Sequence, residues 1–277
     1  MAYLFDEEEI KSVANLIRWL KKDELRLRRK LHRRRKSKPR VWFRGLTDIR
    51  YPQVPTFHRN GYKIDDEIYL MNLFKQNSHE FLIQIPSSEW EWMFLMRHHN
   101  LPSRLLDWTE NPLVGLYFAV RPKENEPMTN SDGVLWCLLP TRLNNWALKW
   151  PDDDDSLPML TDNPAEYSRG ENEGIALYLP SKMGALSSRE TRPPAAGICT
   201  RTNRRMQVQM GVFTIHHANK DPLEIMGDST HIWRYRIPAS CKQSVYKDLK
   251  RIGITELTLF PSLDNVARWA TELLVGD

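Results

Sequence analysis

The 277-residue sequence predicts an α+β fold in which helices flank a sheet and a basic helix lies at the N-terminus. Strand-like and helix-like segments follow one another without the regular alternation of a doubly wound sheet, and this mixture favours an α+β arrangement. Hydrophobic residues make up 41% of the chain and charged residues 27%. This balance is sufficient for a buried core and excludes a disordered chain.

Composition also excludes several classes of protein. No apolar run approaches the roughly 20 residues that a membrane-spanning helix needs. The N-terminal sequence MAYLFDEEEI is acidic where a secretory signal is basic. Cys137, Cys199 and Cys241 are odd in number and widely spaced, which argues against a disulfide scaffold or a CxxC metal site. We therefore expect a soluble, cytoplasmic protein without a transmembrane segment.

The positive charge is concentrated in residues 1–40, a basic helical segment. Residues 21–40 hold twelve Lys and Arg against two acidic residues, whereas the whole chain carries only +5. Apolar residues at helical spacing predict an amphipathic helix over 6–35, ended by Pro39. Its cationic face fits a solvated surface, a nucleic-acid or acidic-protein contact, or an anionic membrane contact. The candidate contact residues are Arg28, Arg29, Arg33, Arg34 and Arg35.

Residues 41–277 read as one domain of mixed elements. Short runs of bulky apolar and β-branched residues predict strands at 41–45, 103–109, 133–140, 175–180, 211–217, 231–238 and 254–260. Helical spacing of apolar residues predicts helices at 65–82, 88–100, 110–120, 240–253 and 262–275. Ser88, three residues before Glu91, is typical of a capping box, and Pro112 is typical of a first helical turn.

A surface insertion is predicted at about 141–174. Its sequences WPDDDDSLP and DNPAEYSRGENEG are polar, acidic and rich in turn-forming residues. The run Asp152–Asp155 lacks the spaced carboxylates and the glycine of a calcium loop, so we expect a solvated acidic loop there.

Several motifs, in a fixed order, resemble the FRG-domain family, which is named after a Phe-Arg-Gly tripeptide. Here the tripeptide is Phe43, Arg44 and Gly45, and it is followed by DDEIYLMNLF, HHNLPSRLLDWTENPLVGLYFAV, RRMQVQMGVFTIH and GITELTLFPSLDNVARW. The resemblance extends from Val41 to about Trp269, apart from the insertion.

The same motif order is similar to that of ADP-ribosyltransferases, whose core is a split, mixed or antiparallel sheet. The resemblance implies NAD as a substrate, with Arg44 holding the dinucleotide, Thr109 supporting the nicotinamide ribose and Glu256 as the catalytic carboxylate. Breaking the glycosidic bond of NAD turns the ribose into an oxocarbenium-like cation, which a carboxylate stabilises. A guanidinium group anchors the phosphates of the dinucleotide.

Neighbouring residues of these motifs complete the expected site. Cofactor contacts are expected from Phe43, Arg44, Gly45, His98, His99, Arg104, Asp107 and Trp108, and Arg205 joins the candidate nucleic-acid contacts. For three of the expected site residues, a purely structural role is the alternative. Arg44 can pair with Asp107, Thr109 can cap a helix, and Glu256 can lie on the exposed face of an edge strand. A structural ion pair between Arg104 and Asp107 is favoured over direct catalysis, and no metal site is expected because adjacent histidines point apart.

Two departures from the transferase pattern bear on the acceptor. Asp107-Trp108-Thr109 replaces Ser-Thr-Ser, and Ile254 lies where enzymes that modify arginine or asparagine carry Glu or Gln. We therefore expect an NAD-dependent ADP-ribosyltransferase that modifies nucleic acid, RNA ahead of DNA, as a bacterial toxin or phage-defence effector with a neutralising antitoxin partner. One alternative is a non-catalytic module that binds nucleic acid or protein through residues 18–40. Another is a metal-dependent nuclease or hydrolase using Asp107, Glu110 and His98 or His99.

Overall fold

The predicted α+β class is confirmed. A computed structural model describes residues 3–30, 39–122, 128, 130–151, 155–160, 174–183 and 191–275. The strands are β1 (Glu8–Glu9), β2 (Trp42–Leu46), β3 (Leu105–Thr109), β4 (Gly133–Leu138), β5 (Ala195–Gly197), β6 (Gly211–Ile215) and β7 (Ile232–Ile237).

Helices lie between and after these strands. They are α1 (Val13–Lys30), α2 (Thr56–Arg59), α3 (Ile64–Ser78), α4 (Glu89–His98), α5 (Pro112–Val120), α6 (Pro140–Ala147), α7 (Pro180–Met183), α8 (Arg204–Val208), α9 (Ala239–Arg251), α10 (Glu256–Leu259) and α11 (Leu263–Val275). The expected caps are present: the Ser88 hydroxyl accepts from the Glu91 amide at the start of α4, and Pro112 is the first residue of α5.

The strands form one mixed sheet in the order β1-β7-β4-β2-β3-β6-β5. Only β1 and β7 run parallel; every other neighbouring pair is antiparallel. β2 pairs with β4 along its whole length, yet it pairs with β3 only where Phe43 faces Thr109. β3 in turn pairs with β6 over all five of its residues. The sheet therefore parts between β2 and β3.

Helices cover one face of the sheet in two separate groups. Phe43 of β2 packs into a core with α1, α5 and α9, whereas Leu105 of β3 packs into a core with α3 and α4. Alternate residues of the same strands, such as Trp42 and Leu106, enter a third core on the opposite face with α6. The two parts of the sheet are thus supported by different groups of helices.

Helix α5 lies in direct backbone contact with β2. A Cβ atom on Gly45 would be 1.9 Å from the carbonyl oxygen of Gly115, and a Cβ on Gly115 would be 2.8 Å from the Phe43 Cβ. Only glycine fits at either position, because the atoms that block a side chain belong to backbone and Cβ positions that cannot rotate away. Gly45 is therefore required for helix packing.

The N-terminal helix begins later than the sequence predicts. α1 begins at Val13, and the preceding residues Glu8 and Glu9 pair with β7 as an edge strand. The helix attaches to the sheet through Leu16, Leu27 and the buried Asp23, whose carboxylate accepts a hydrogen bond of 2.5 Å from the Tyr235 hydroxyl. Residues 31–38, which include the predicted contacts Arg33, Arg34 and Arg35, lie outside the described residues.

Two predicted strands and part of the predicted insertion are wrong. Residues 175–180 form a 3-10 turn that leads into α7, and 254–260 contain α10, because the hydroxyls of Thr255 and Thr258 each accept from the other's amide and cap a helical turn. At the start of the insertion, α6 is buried against β5, where the Asn144 side chain bonds both backbone groups of Ala196. Residues 152–154 and 161–173 lie outside the described residues.

Four imidazoles are buried in this fold. His58, His216, His217 and His231 are all nearly inaccessible to solvent, and neither ring nitrogen of His216 has a hydrogen-bond partner in the described residues. Burial lowers the pKa of His58, His217 and His231 to about 4, and lowers the pKa of His216 in the same direction. All four are therefore neutral in the folded protein at pH 7.

The close approach of α5 predicts that Gly45→Ala lowers the free energy of unfolding by about 3 kcal/mol, because the added methyl group must displace backbone. Gly211→Ala is the matched control, since a Cβ there would find no atom nearer than 3.7 Å. Urea denaturation of the two variants measures the difference. Equal stabilities would contradict the assigned contact.

The buried imidazoles predict a loss of stability in mild acid. Unfolding releases histidines of pKa near 6.5, so stability is retained above that pH and falls as the pH drops toward the folded values near 4. Each buried histidine contributes a slope of about 1.4 kcal/mol per pH unit in this window. Urea denaturation between pH 8 and 4.5 measures the slope, and His216→Leu should reduce it by about one such increment. A stability independent of pH from 7 to 5 would contradict the prediction.

Candidate functional site

A cleft of about 510 Å³ opens where β2 and β3 part. Its walls come from α4, α5 and α8 and from the chain that follows β2. Five of the residues that line it are arginines and only one is acidic: Arg44, Arg59, Arg97, Arg121 and Arg205 surround Asp107. Aromatic side chains, including Tyr51, Phe94 and Phe118, complete the lining. The cleft is thus an electropositive space with apolar surfaces.

Arg44 lies at the parting of the strands. Its Nη1 donates a 2.6 Å hydrogen bond to the backbone carbonyl of Asp107, and its buried Nε has no partner among the described residues. Burial lowers the pKa of Arg44 to about 10, so the group remains charged at neutral pH. The structural alternative expected Arg44 to pair with the Asp107 carboxylate, but Arg44 bonds the backbone carbonyl of that residue instead. Arg44 therefore brings a positive charge to the floor of the cleft, which it lines.

The Asp107 carboxylate projects from the middle of β3. Arg97 of α4 donates to its Oδ2 from Nε at 2.9 Å and from Nη2 at 2.5 Å. Burial opposes ionisation of Asp107, but the charges of Arg97, Arg44 and Arg205 outweigh it and lower the pKa of the carboxyl. The side chain keeps 45% of its surface accessible, and no described residue donates to Oδ1. Asp107 is thus an ionised carboxylate that a ligand can reach.

Two further arginines converge on one aromatic ring. The guanidinium carbon of Arg205, from α8, lies 4.8 Å from the centre of the Phe260 ring, and that of Arg121 lies 5.3 Å from it. Phe118 of α5 contacts Arg121 at 5.0 Å. In the described part of the chain, neither guanidinium has a carboxylate within ion-pair distance. Contacts with aromatic faces hold the two cations in place while leaving their hydrogen-bond donors for an anion.

The structure places several predicted residues in the cleft. Phe43, Gly45, His98, Trp108 and Thr109 all line it, and burial lowers the pKa of His98. Trp108 is buried, however, and its indole donates to the Thr214 hydroxyl, so it serves mainly as a wall.

The Thr109 hydroxyl is used within the protein. It donates to the Gln209 carbonyl at 2.6 Å and accepts from the Asn111 amide at 3.0 Å, which joins β3 to α8 and to the start of α5. The cap of α5 is Asn111, whose side chain accepts from the Leu113 amide. Thr109 therefore positions backbone at the cleft, and its expected capping role belongs to Asn111.

Glu256 lies outside the cleft. As the first residue of α10, it faces a separate groove between α9 and α11, where it pairs with Arg268 at 3.0 Å. Of this segment, Leu259 and Phe260 reach the cleft wall: the Leu259 carbonyl accepts from Gln209, and Phe260 contacts Arg205. The expected set of three residues is therefore not assembled, because the predicted strand that was to carry Glu256 is a helix.

Arg104 is a structural residue. It is fully buried and bonds Oε2 of Glu67 at 2.6 Å, the His216 carbonyl at 2.8 Å and the Tyr178 carbonyl at 2.6 Å. The expected ion pair between Arg104 and Asp107 is wrong, since each has another partner. Arg104 ties the start of β3 to α3 and to the 3-10 turn, away from the cleft.

Three other candidate contacts lie apart from the cleft. His99 is exposed and its ring lies 6.1 Å from that of Phe74. Arg28 and Arg29 are exposed on α1, where Arg28 pairs with Glu24 at 2.8 Å. Within the described ranges, no three His, Cys, Asp or Glu side chains are grouped so that they could hold a metal ion, and no helix there is long and apolar enough to span a membrane.

Sequence reasoning missed Arg59, Arg97 and Arg121, which line the cleft, and Phe260, which holds two of the arginines. A signal was available for two of them. Arg97 interrupts the apolar run of α4, and Arg121 directly follows the almost wholly apolar α5. A charged residue at such a position needs either a partner or a solvent-filled space.

Comparison with known proteins identifies one family. The family model of the FRG domain matches residues 39–127, which contain β2, α3, α4, β3 and α5 and hence the cleft lining except for residues 205–213. The chain therefore carries an FRG domain. No curated protein and no solved structure matches it.

The buried pair predicts that Arg104→Met lowers the free energy of unfolding by about 3–5 kcal/mol, because Glu67 is left as an unpaired buried charge. The double variant Arg104→Met/Glu67→Met removes both charges and should recover much of that loss. Urea denaturation of the single and double variants gives the coupling energy. Additive effects would show that the two side chains act independently, against the assigned contact.

Proposed function

We propose that this FRG-domain protein binds NAD in its arginine cleft and transfers the ADP-ribose group to nucleic acid. The observation that carries the proposal is the gathering of five arginines around a single ionised carboxylate at the parting of β2 and β3. Mutual repulsion of these cations disfavours the empty cleft, and an anion relieves it. The order of the sequence motifs resembles that of ADP-ribosyltransferases, and this resemblance points to NAD as the anion that binds.

Binding of the dinucleotide uses the guanidinium edges. The diphosphate of NAD carries two negative charges, and planar guanidinium groups bond such oxygens in pairs. Arg44 supplies a positive charge at the floor, and Arg121 and Arg205 supply guanidinium groups held beside Phe260. A volume of about 510 Å³ is in the range of small-molecule sites, and Tyr51 and Phe118 offer surfaces on which a base or the nicotinamide ring can stack.

The chemical step needs an anion beside the nicotinamide ribose. When the C–N glycosidic bond breaks, its electron pair leaves with neutral nicotinamide and the ribose becomes an oxocarbenium-like cation. We assign the stabilising carboxylate to Asp107, because Arg97 fixes its Oδ2 and its Oδ1 remains for the sugar. The lowered pKa of Asp107 keeps it ionised at neutral pH. This role replaces the one that sequence alone gives to Glu256.

Transfer is completed by the acceptor. A nucleophilic atom of the acceptor forms a bond to the anomeric carbon and loses a proton, for which His98 is the candidate base. His98 lines the cleft, and because burial lowers the pKa of its ring it is neutral and able to accept a proton at pH 7. The acceptor itself is proposed from the charge of residues 21–40, which suits phosphate backbones, with RNA ahead of DNA. A neutralising antitoxin protein remains part of this proposal.

The metal-dependent alternative has less support. Asp107 and Glu110 are each paired with an arginine, Arg97 and Arg201 respectively. Carboxylates that hold a catalytic metal would be expected to converge with each other or with a histidine.

The proposal predicts that the purified protein releases nicotinamide from NAD in the presence of RNA or DNA and modifies the nucleic acid. Liquid chromatography with mass detection measures both products. Asp107→Asn should lower the rate by about 100-fold or more, because the developing cation loses its counter-charge. Glu256→Gln, the same change of acid to amide in the other groove, should retain activity.

The outcomes separate the functions. Loss of activity in Glu256→Gln but not in Asp107→Asn would overturn the assignment of the carboxylate. Nucleic-acid binding without any NAD turnover would favour the non-catalytic module, and strand cleavage that needs a divalent cation but no NAD would favour the hydrolase. Thermal melting of each variant verifies that it is folded.

A further inference from the structure

The aromatic ring of Phe260 supports two cations of the cleft at once. The guanidinium carbons of Arg205 and Arg121 lie 4.8 Å and 5.3 Å from the centre of this ring. Phe118, which lines the cleft with the two arginines, packs edge-on against the same ring with 5.9 Å between the ring centres. Attraction between a cation and an aromatic face acts only at short range, so the place of the ring decides where the two guanidinium groups lie.

Phe260 directly follows the short helix α10. This helix has four residues, Glu256–Leu259, and a helix of that length is not stable by itself. The carbonyl groups at the C-terminal end of a helix have no partner within the helix and need one from elsewhere. The position of Phe260 therefore depends on what the last carbonyls of this segment bond to.

Two side-chain amides bond these carbonyls. Gln209 Nε2 donates to the Leu259 carbonyl at 2.9 Å, and Asn265 Nδ2 donates to the Phe260 carbonyl at 2.6 Å. Gln209 lines the cleft itself, whereas Asn265 lines the separate groove between α9 and α11. Any effect of Asn265 on an anion in the cleft therefore has to pass through Phe260.

The attachment of α11 fixes the Asn265 side chain. Asn265 is half-buried, and the other side chains from Leu263 to Leu274 are exposed. The Ser262 hydroxyl accepts from the Asn265 backbone amide at 3.2 Å, and Arg268, nearly one turn later, pairs with Glu256 at 3.0 Å. The first turns of α11 are thus held against α10, with the amide of Asn265 directed at the Phe260 carbonyl.

We infer that Asn265 is a positioning residue of the anion site, because its bond to the Phe260 carbonyl fixes the ring against which Arg121 and Arg205 pack. The inference rests on the anion binding of the proposed function, but not on the cleavage of NAD or on Asp107. Without this bond the two cations would have to be ordered when the anion binds, and the affinity for the anion would fall.

Isothermal titration calorimetry with inorganic pyrophosphate tests the inference. Pyrophosphate offers phosphate oxygens without a sugar or nicotinamide, so its affinity reports on the cations. Asn265→Leu removes the amide donor and should raise the dissociation constant about 5-fold or more, because both contacts between cation and ring lose their support. Asn77→Leu, which removes a similar amide-to-carbonyl bond of 2.8 Å to Leu73 on α3, should leave the constant unchanged. Thermal melting verifies that each variant is folded.

A double-variant cycle shows whether the effect passes through the ring. Phe260→Leu should weaken pyrophosphate binding by itself, and adding Asn265→Leu to it should weaken binding no further. An equal loss from Asn265→Leu in both backgrounds would overturn the inference. It would also be overturned by an Asn265→Leu protein that binds as tightly as wild type, or by a wild-type protein that does not bind pyrophosphate at about 10 mM.

Turnover of NAD separates this inference from the proposed function. Asn265→Leu should raise KM for NAD and leave kcat nearly unchanged, because the variant alters binding and not the carboxylate. A protein that shows the expected pattern with pyrophosphate but never releases nicotinamide would contradict the proposed function while supporting the inference. A protein that turns over NAD although Asn265→Leu keeps wild-type affinity would overturn the inference alone.

Discussion

The parting of β2 from β3 is the constraint on which the site depends. Beyond the pair formed by Phe43 and Thr109, the two strands no longer bond to each other, and the Arg44 guanidinium occupies the Asp107 carbonyl that a continuous ladder would have used. A closed sheet would leave neither the space nor the free carbonyl. The same feature thus creates the cleft, positions a buried cation at its floor and brings the Asp107 side chain next to it.

The two sides of the cleft are held by different contacts. On one side, Gly45 and Gly115 let α5 lie in backbone contact with β2. On the other, Arg104 and Glu67 fix the start of β3 to α3 through a fully buried ion pair. Because each strand is anchored to its own group of helices, closing the gap would require disruption of one of these packed cores. The cleft is therefore built into the fold and does not need a ligand to form.

The electrostatics of the cleft are unbalanced. One ionised carboxylate faces five guanidinium groups, and aromatic rings hold two of the cations where carboxylates would ordinarily pair with them. Burial of like charges costs stability, and binding of an anion would recover that free energy. Such a site favours a ligand with at least two negative charges. The FRG match covers the strands and helices that supply Arg44, Arg97 and Asp107, whereas Arg205 and Phe260 come from later parts of the chain.

The sequence by itself determined the identity of most elements and the location of much of the site. Apolar spacing and caps predicted α4 and α5, and the motifs that became β2 and β3 supplied Arg44 and Asp107 as expected contacts of the site. Tertiary structure alone decided the partners of the charged residues. Glu256 lies outside the cleft because a threonine cap forms a helical turn where the sequence predicts a strand over 254–260, and Arg104 pairs with a glutamate 37 positions earlier. Periodicity is a local property that a sequence displays directly, whereas the partner of a charge depends on which distant backbone segments pack beside it.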